Sequence, residues 1–373
     1  MEPKMAKYLH MKGKQLGLPI GGTFEMTPRC NFNCPMCYVH LTKEEQEKRG
    51  RELTTEEWLQ IGKEAKDAGT VFLLLTGGEP TLRPDFPELF HKLKEMGMMI
   101  SVNSNGLLLD GKLLELFQND PPTRINISLY GTSNETYEQL CGIPAYDRVI
   151  GNIRALREAG VDVKVNMSVT PANSSDMQAV YETAKELRIH TQATPYMFPP
   201  VRLHPEMRGT NFRMSAEEAG RVQAQYEFTR CTKEQFSQRI QALQNRISPD
   251  AQSEDECGDI VGEGIHCRAG ITTFWIDWDG KMLPCGQMAE PAVDVLQLGF
   301  DEAWKRTKEN AAAIRLPAEC AKCEIRDICH ACAAMCYCET GSFSGKPDYV
   351  CRWKQSYINS MMQYWEKEYG GKL

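Results

Sequence analysis

From residue 23 to about residue 200 the chain repeats one pattern: a short apolar run rich in strand-forming residues, then an amphipathic stretch with hydrophobic residues three to four apart. The runs are TFEMTPRC, VFLLLTGGE, MISVNSNG, RINISLYG, DVKVNMSVT and TQATPYMFP. Between them lie LTTEEWLQIGKEAKDAG, DFPELFHKLKEMG, GKLLELFQND, YDRVIGNIRALREAG and SSDMQAVYETAKELR. Such alternation predicts parallel strands joined by crossover helices. Six units fall short of the eight that close a barrel, so the expected fold is α/β, a partial (β/α)6 TIM-like barrel or open parallel sheet, with chemistry at the strand C-terminal ends.

A length of 373 residues accommodates one barrel-sized unit and an appendage. The composition divides accordingly into an N-terminal segment (1–19), the barrel (20–210), a polar helical bridge or linker (211–256) and a cysteine-dense unit with a final amphipathic helix (257–373). In the last unit, Asp279-Gly280 between two apolar segments signals a hairpin. The net charge of -7 and the absence of a basic run exclude a nucleic-acid scaffold. No segment has the apolar length of a signal peptide or membrane span, so a cytoplasmic location without a membrane partner is expected. In such a reducing compartment, fifteen cysteines at short spacings point to metal sites rather than disulfides.

The first cluster, RCNFNCPMCYVH, sets Cys30, Cys34 and Cys37 in C-x3-C-x2-C spacing directly after the first expected strand. Three thiolates hold three irons of a cubane and leave the fourth iron open to another ligand. A structural zinc site, with His40 as fourth ligand, is the competing reading. The second strand ends in Gly77-Gly78-Glu79-Pro80, where glycines permit close backbone approach to a ligand and Glu79 suits an ammonium group.

These motifs resemble the radical S-adenosylmethionine superfamily over essentially all of residues 20 to 360. The resemblance implies a [4Fe-4S] cluster on Cys30, Cys34 and Cys37 whose open iron is chelated by S-adenosylmethionine, and cleavage of that ligand to methionine and a 5′-deoxyadenosyl radical. It also implies cofactor contacts: Tyr38 near the adenine, Gly77, Gly78, Glu79 and Pro80 at the methionine amino group, and Ser104 and Asn105 at the carboxylate or ribose. Ser128, Asn166 and Ser168 follow as further polar contacts. Many relatives carry an Arg near the position held here by Cys141.

The second cysteine field resembles the SPASM extension, which holds two auxiliary [4Fe-4S] clusters. Cys267, Gly280, Cys285 and the C-x2-C-x5-C run Cys320, Cys323, Cys329 fit its ladder, after which the spacing slips. Cys320, Cys323, Cys329 and Cys351 resemble one ligand set; Cys267, Cys285 and either Cys332 or Cys336 resemble the other, with Cys257 as a candidate fourth ligand. Paired zinc knuckles are the competing reading. His266 and Asp277 are candidate acid-base groups, and the segment ATPYMFPPVRLHPEMRG is expected to line the substrate mouth, with Arg202 or Arg208 gripping an extended peptide.

The function implied is radical modification of a peptide or protein side chain, as in a maturase forming thioether or carbon-carbon crosslinks. The alternatives are a sulfatase-maturing, formylglycine-forming enzyme, a small-molecule enzyme of the same build, or a non-catalytic iron-sulfur electron carrier. The implied partners are the peptide or protein substrate, a reductant such as flavodoxin or ferredoxin, and a separate protein that presents the substrate.

Overall fold

A computed structural model describes residues 4–247 and 264–370; the end of the expected bridge or linker, from residue 248, and Cys257 lie outside them. The six expected units form strands β1 (Gly21–Glu25), β2 (Phe72–Thr76), β3 (Met99–Ser104), β4 (Arg124–Ser128), β5 (Val163–Ser168) and β6 (His190–Thr194), paired in parallel in sequence order. Residue alternation gives each strand two faces. Ile100, Val102, Ile125 and Ile127 are buried beneath the crossover helices, while Asn103, Asn126 and Ser128 face an interior cavity. The partial barrel is open, as the count of six implies.

The cysteine-dense unit continues this sheet. β7 (Thr273–Ile276) pairs in parallel with the free edge of β1, and β8 (Lys281–Leu283) and β9 (Val293–Asp294) follow antiparallel, giving the order β6-β5-β4-β3-β2-β1-β7-β8-β9. The β7–β8 connection is the expected hairpin: Asp277 N–H donates to the Lys281 carbonyl and the Asp277 carbonyl accepts the Gly280 N–H, each at 3.0 Å, and Gly280 sits at φ +88°. Gly22 on β1 makes the join possible, because a Cβ there would lie 2.2 Å from the Phe274 ring. Phe274 packs against Phe24, Phe300 and Trp304.

Around the sheet, local sequence signals set the helices. Thr54 and Glu57 form a capping box that starts helix Thr55–Asp67, and this helix buries Trp58 against Phe24 at 4.8 Å between ring centroids. Part of the expected bridge is helix Ala216–Arg230, which lies against the long C-terminal helix Asp348–Tyr369. Gly220 allows the approach, since a Cβ there would meet the Tyr357 backbone nitrogen at 2.6 Å. No helix among the described residues is long and apolar enough to cross a membrane.

If β1 and β7 form one cooperative core, Phe274→Ala lowers the unfolding free energy by roughly 3–5 kcal/mol. Urea titration followed by far-ultraviolet circular dichroism checks this, and a single shifted transition is the expected form.

Candidate functional site

The loop that carries the first three cysteines is fixed at both ends by backbone. Gly78 N–H donates to the Thr27 carbonyl at 2.7 Å and Glu79 N–H to the Arg29 carbonyl at 2.8 Å. Only glycine fits there, because a Cβ on Gly78 would lie 2.3 Å from the Arg29 oxygen and one on Gly77 2.5 Å from the Thr27 oxygen. Asn33 N–H bonds the Cys141 carbonyl at 2.9 Å, so the helix Asn134–Cys141 holds the middle of the loop.

A charged network supports the same loop from below. Arg83, 6% exposed, donates to the carbonyls of Met26 and Leu53 and pairs with Asp85 and Glu52. Glu52 in turn accepts from Arg29 and from Thr27 Oγ1 at 2.6 Å. The sequence reading missed Arg83, Glu52 and Arg29; the run GGEPTLR, with a cation three residues past the Pro, was the available signal.

The loop roofs one cavity of about 400 Å³. Cys30, Cys34, Cys37, Tyr38, Gly77, Gly78, Ser104, Asn105, Ser128, Asn166 and Ser168 all line it, so eleven of the residues singled out from sequence converge on one space. Asn126 donates to Asn103 at 2.9 Å and Asn103 to Thr76 at 3.3 Å, a polar rung across β4, β3 and β2. Strand alternation would have found Asn103 and Asn126. The outer wall is Tyr196, Met197, Phe198, Met335 and Trp353, with Tyr196 and Trp353 stacked at 5.3 Å. Tyr196, Met197 and Phe198 come from the segment expected at the mouth.

The three thiols suit a cationic cluster. Cys30 Sγ accepts the Phe32 N–H at 3.4 Å and Cys37 Sγ the His40 N–H at 3.3 Å, bonds that favour thiolate. Burial pushes Cys30 up to about 12 and Cys37 up to about 11, each raised further by neighbouring cysteines. The Cys34 thiol is raised first by its hydrogen bond to Cys141, then by burial. Thiols so placed stay protonated at neutral pH until positive charge is bound among them. Cys30, Cys34 and Cys37 stand together around the rim of one cavity, an arrangement that suits a body larger than a single ion.

Several expected residues sit elsewhere. Glu79 lies behind the cavity wall, its carboxylate committed to Thr81, Ser104 and the Asn105 N–H at 2.7 Å, with its pKa raised by burial. Pro80 opens the short helix beside it and does not line the cavity. Asp277 is buried in an ion network, accepting the Lys281 N–H at 2.8 Å and facing Arg202 at 3.5 Å; burial and Asp279 raise its pKa well above the carboxylate range. Arg202 is also internal, bonded to the fully buried Glu25 at 2.6 Å, so it does not grip a ligand at the surface. Arg208 packs against Gly341. His266 lines a second cavity with Cys320, Cys323, Cys329 and Cys351, away from the barrel mouth, and burial lowers its pKa. Neither acid-base candidate lines the cavity among the described residues.

That second cavity gathers the four cysteines of one expected auxiliary set. For the other set, Cys267 and Cys285 line a third cavity at the lower end of β1, β2 and β7. Cys332 raises no conflict with them: its thiol is pushed up to about 12 by burial, eased by the Met335 N–H, and raised again by Cys285 and Cys267. Cys336 lies between the sets, acted on by Cys332 and then by Cys320, Cys329 and Cys351.

Residues 24–184 match the Radical SAM superfamily. Over 343 residues the chain is 26% identical to the AdoMet-dependent heme synthase of Methanosarcina barkeri, covering 87% of this chain and 94% of that protein. Its fold matches SuiB of Streptococcus suis bound to its precursor peptide SuiA with a TM-score of 0.69, at 18% identity over 93% of this chain and 79% of that one. It matches anSMEcpe with bound AdoMet with a TM-score of 0.67, at 17% identity over 94% and 98% of the two chains. Over residues 24–184 the chain is thus similar to the radical S-adenosylmethionine superfamily, whose members are enzymes that use S-adenosylmethionine and a [4Fe-4S] cluster.

Gly78→Ala separates loop geometry from ligand identity, since no thiol is touched. It is expected to weaken S-adenosylmethionine binding at least about tenfold, more than ~1.4 kcal/mol, by equilibrium dialysis. Far-ultraviolet circular dichroism stays that of the parent.

Proposed function

We propose that this enzyme uses a radical generated at Cys30, Cys34 and Cys37 to modify a side chain of a peptide or protein, in the manner of a maturase that forms thioether or carbon-carbon crosslinks. One observation carries the choice of substrate: among the described residues that line the cavity there is no Lys, Arg, His, Asp or Glu. Its inner wall offers Asn and Ser side chains, its outer wall aromatic rings and methionines. Such a surface fits an uncharged side chain carried on an amide backbone. A ligand bearing several carboxylates would need cations in the wall.

When bound, S-adenosylmethionine and the cluster supply a 5′-deoxyadenosyl radical that abstracts hydrogen. The chain's residues orient and shield. Cys30, Cys34 and Cys37 hold the cluster. Gly77 and Gly78 bring backbone close enough to meet the methionine end, while Glu79 braces Ser104 and Asn105 from behind. Ser128, Asn166 and Ser168 face the ribose side, and Tyr38 borders the adenine. Tyr196, Phe198 and Trp353 keep water from the abstraction point. Cys320, Cys323, Cys329 and Cys351 hold one auxiliary cluster, and Cys267, Cys285 and Cys332 the other. A separate protein presents the substrate, and the reducing cytoplasm preserves the clusters.

The peptide bound to SuiB supports this reading by likeness of fold. The end-to-end match to a heme synthase favours a second reading, action on a tetrapyrrole. Against it, Arg202 and Arg213 are buried and paired with Glu25 and Glu339, so neither offers a free cation to a carboxylate.

The test offers the reconstituted, dithionite-reduced enzyme either a short peptide encoded beside its own gene or an iron tetrapyrrole. The expected result is 5′-deoxyadenosine formed with the peptide, and a peptide lighter by two hydrogens in mass spectrometry. Turnover with the tetrapyrrole alone overturns the reading.

A further inference from the structure

The helix Lys4–Leu16 has two unlike faces. Its inner face is well packed: Ala6, His10 and Gly13 are buried, and His10 bonds Thr272 at 2.9 Å and stacks on Phe72. Its outer face is not. Met5, Tyr8, Met11 and Leu16 are 67%, 51%, 47% and 68% exposed, half of the eight large hydrophobic side chains exposed among the described residues. Between them stand Lys4, Lys7, Lys12 and Lys14, with no acidic residue in the helix, on a chain of net charge -7.

Two properties of this face identify its occupant. At 100° per residue the lysines and apolar side chains interleave around the outer surface instead of separating into two stripes. A helix lying on a lipid surface segregates its apolar side; interleaved lysine and methionine suit an acidic protein that makes adaptable apolar contacts. One residue of the helix, His10, lines the third cavity, of about 460 Å³, together with Cys267 and Cys285. A helix with its side chains is about 10–12 Å across, so a protein seated on the outer face stands one helix away from the cavity that these two cysteines border.

We propose that the outer face of Lys4–Leu16 is the docking surface for a small, acidic, low-potential electron-carrier protein, which delivers its electron through the Cys267 and Cys285 cavity. In each encounter the carrier loses one electron and the auxiliary centre gains it. The proposal rests on the reading of Cys267 and Cys285 as cluster ligands. Docking itself depends only on the helix.

The test uses the reconstituted enzyme and reduced flavodoxin as the probe. Lys4→Glu, Lys12→Glu and Lys14→Glu combined are expected to weaken flavodoxin binding at least tenfold at low ionic strength by biolayer interferometry. The difference shrinks as salt rises, because exposed charges are screened. Bleaching of the visible cluster absorption by flavodoxin slows to match, while bleaching by dithionite keeps its parental rate. Met5→Ser with Leu16→Ser weakens binding without the salt dependence. Unchanged flavodoxin binding in the charge-reversed variant overturns the proposal, as does loss of binding to anionic phosphatidylglycerol vesicles in place of flavodoxin, which makes the face a membrane contact. A protein that dithionite fails to bleach contradicts the cluster reading instead, and the binding comparison still decides the docking surface.

Discussion

Three buried thiols cannot lose their protons together unless positive charge arrives between them, and this electrostatic constraint organises the catalytic end of the molecule. The protein does not relieve it with a cation of its own, since no Lys, Arg or His lines the cavity among the described residues. It supplies geometry instead. Gly77 and Gly78 let the second strand end press against the backbone of Thr27 and Arg29, Asn33 hangs from Cys141, and the buried Arg83 ties Met26 and Leu53 to Glu52. The thiols are thus held in place before the group they are built for is present.

The same rigidity extends to the second cysteine field through the sheet. Because β7 pairs with β1, the strand that leads into the Cys30 loop, Cys285 is fixed relative to that loop by backbone hydrogen bonds rather than by a flexible tether. Tyr38 illustrates how near the two regions are: burial and Glu25 chiefly raise its hydroxyl pKa, with both Cys37 and Cys285 contributing. The Glu25, Arg202 and Asp277 network closes the junction. A cysteine field joined in this way is part of the barrel's own architecture.

Much of this was legible in the sequence because it depends on local pattern. Six strands, their parallel pairing and the Asp279-Gly280 hairpin follow from periodicity and turn chemistry, and the cavity residues Ser104, Asn105, Ser128, Asn166 and Ser168 follow from the resemblance to the radical S-adenosylmethionine superfamily. What depends on tertiary packing was not legible. Glu79 turns away from the cavity because Thr81, Ser104 and the Asn105 amide offer closer donors. Arg202 is drawn inward by Glu25, 177 residues earlier in the chain, and His266 lies in the cavity of Cys320, Cys323, Cys329 and Cys351. The parallel pairing of β7 with β1 across so long an interval carries no local signal at all.

The central claim is that Cys30, Cys34 and Cys37 form a separate, three-thiol cluster site open to S-adenosylmethionine. Iron analysis and electron paramagnetic resonance of the reduced protein, compared with a variant carrying Ala at all three positions, test it most directly. The account predicts a variant with about four fewer irons per chain, whose remaining signal is unmoved by S-adenosylmethionine, beside a parent whose spectrum changes when the ligand is added. A variant with parental iron content, or a parent whose spectrum ignores S-adenosylmethionine, would contradict it.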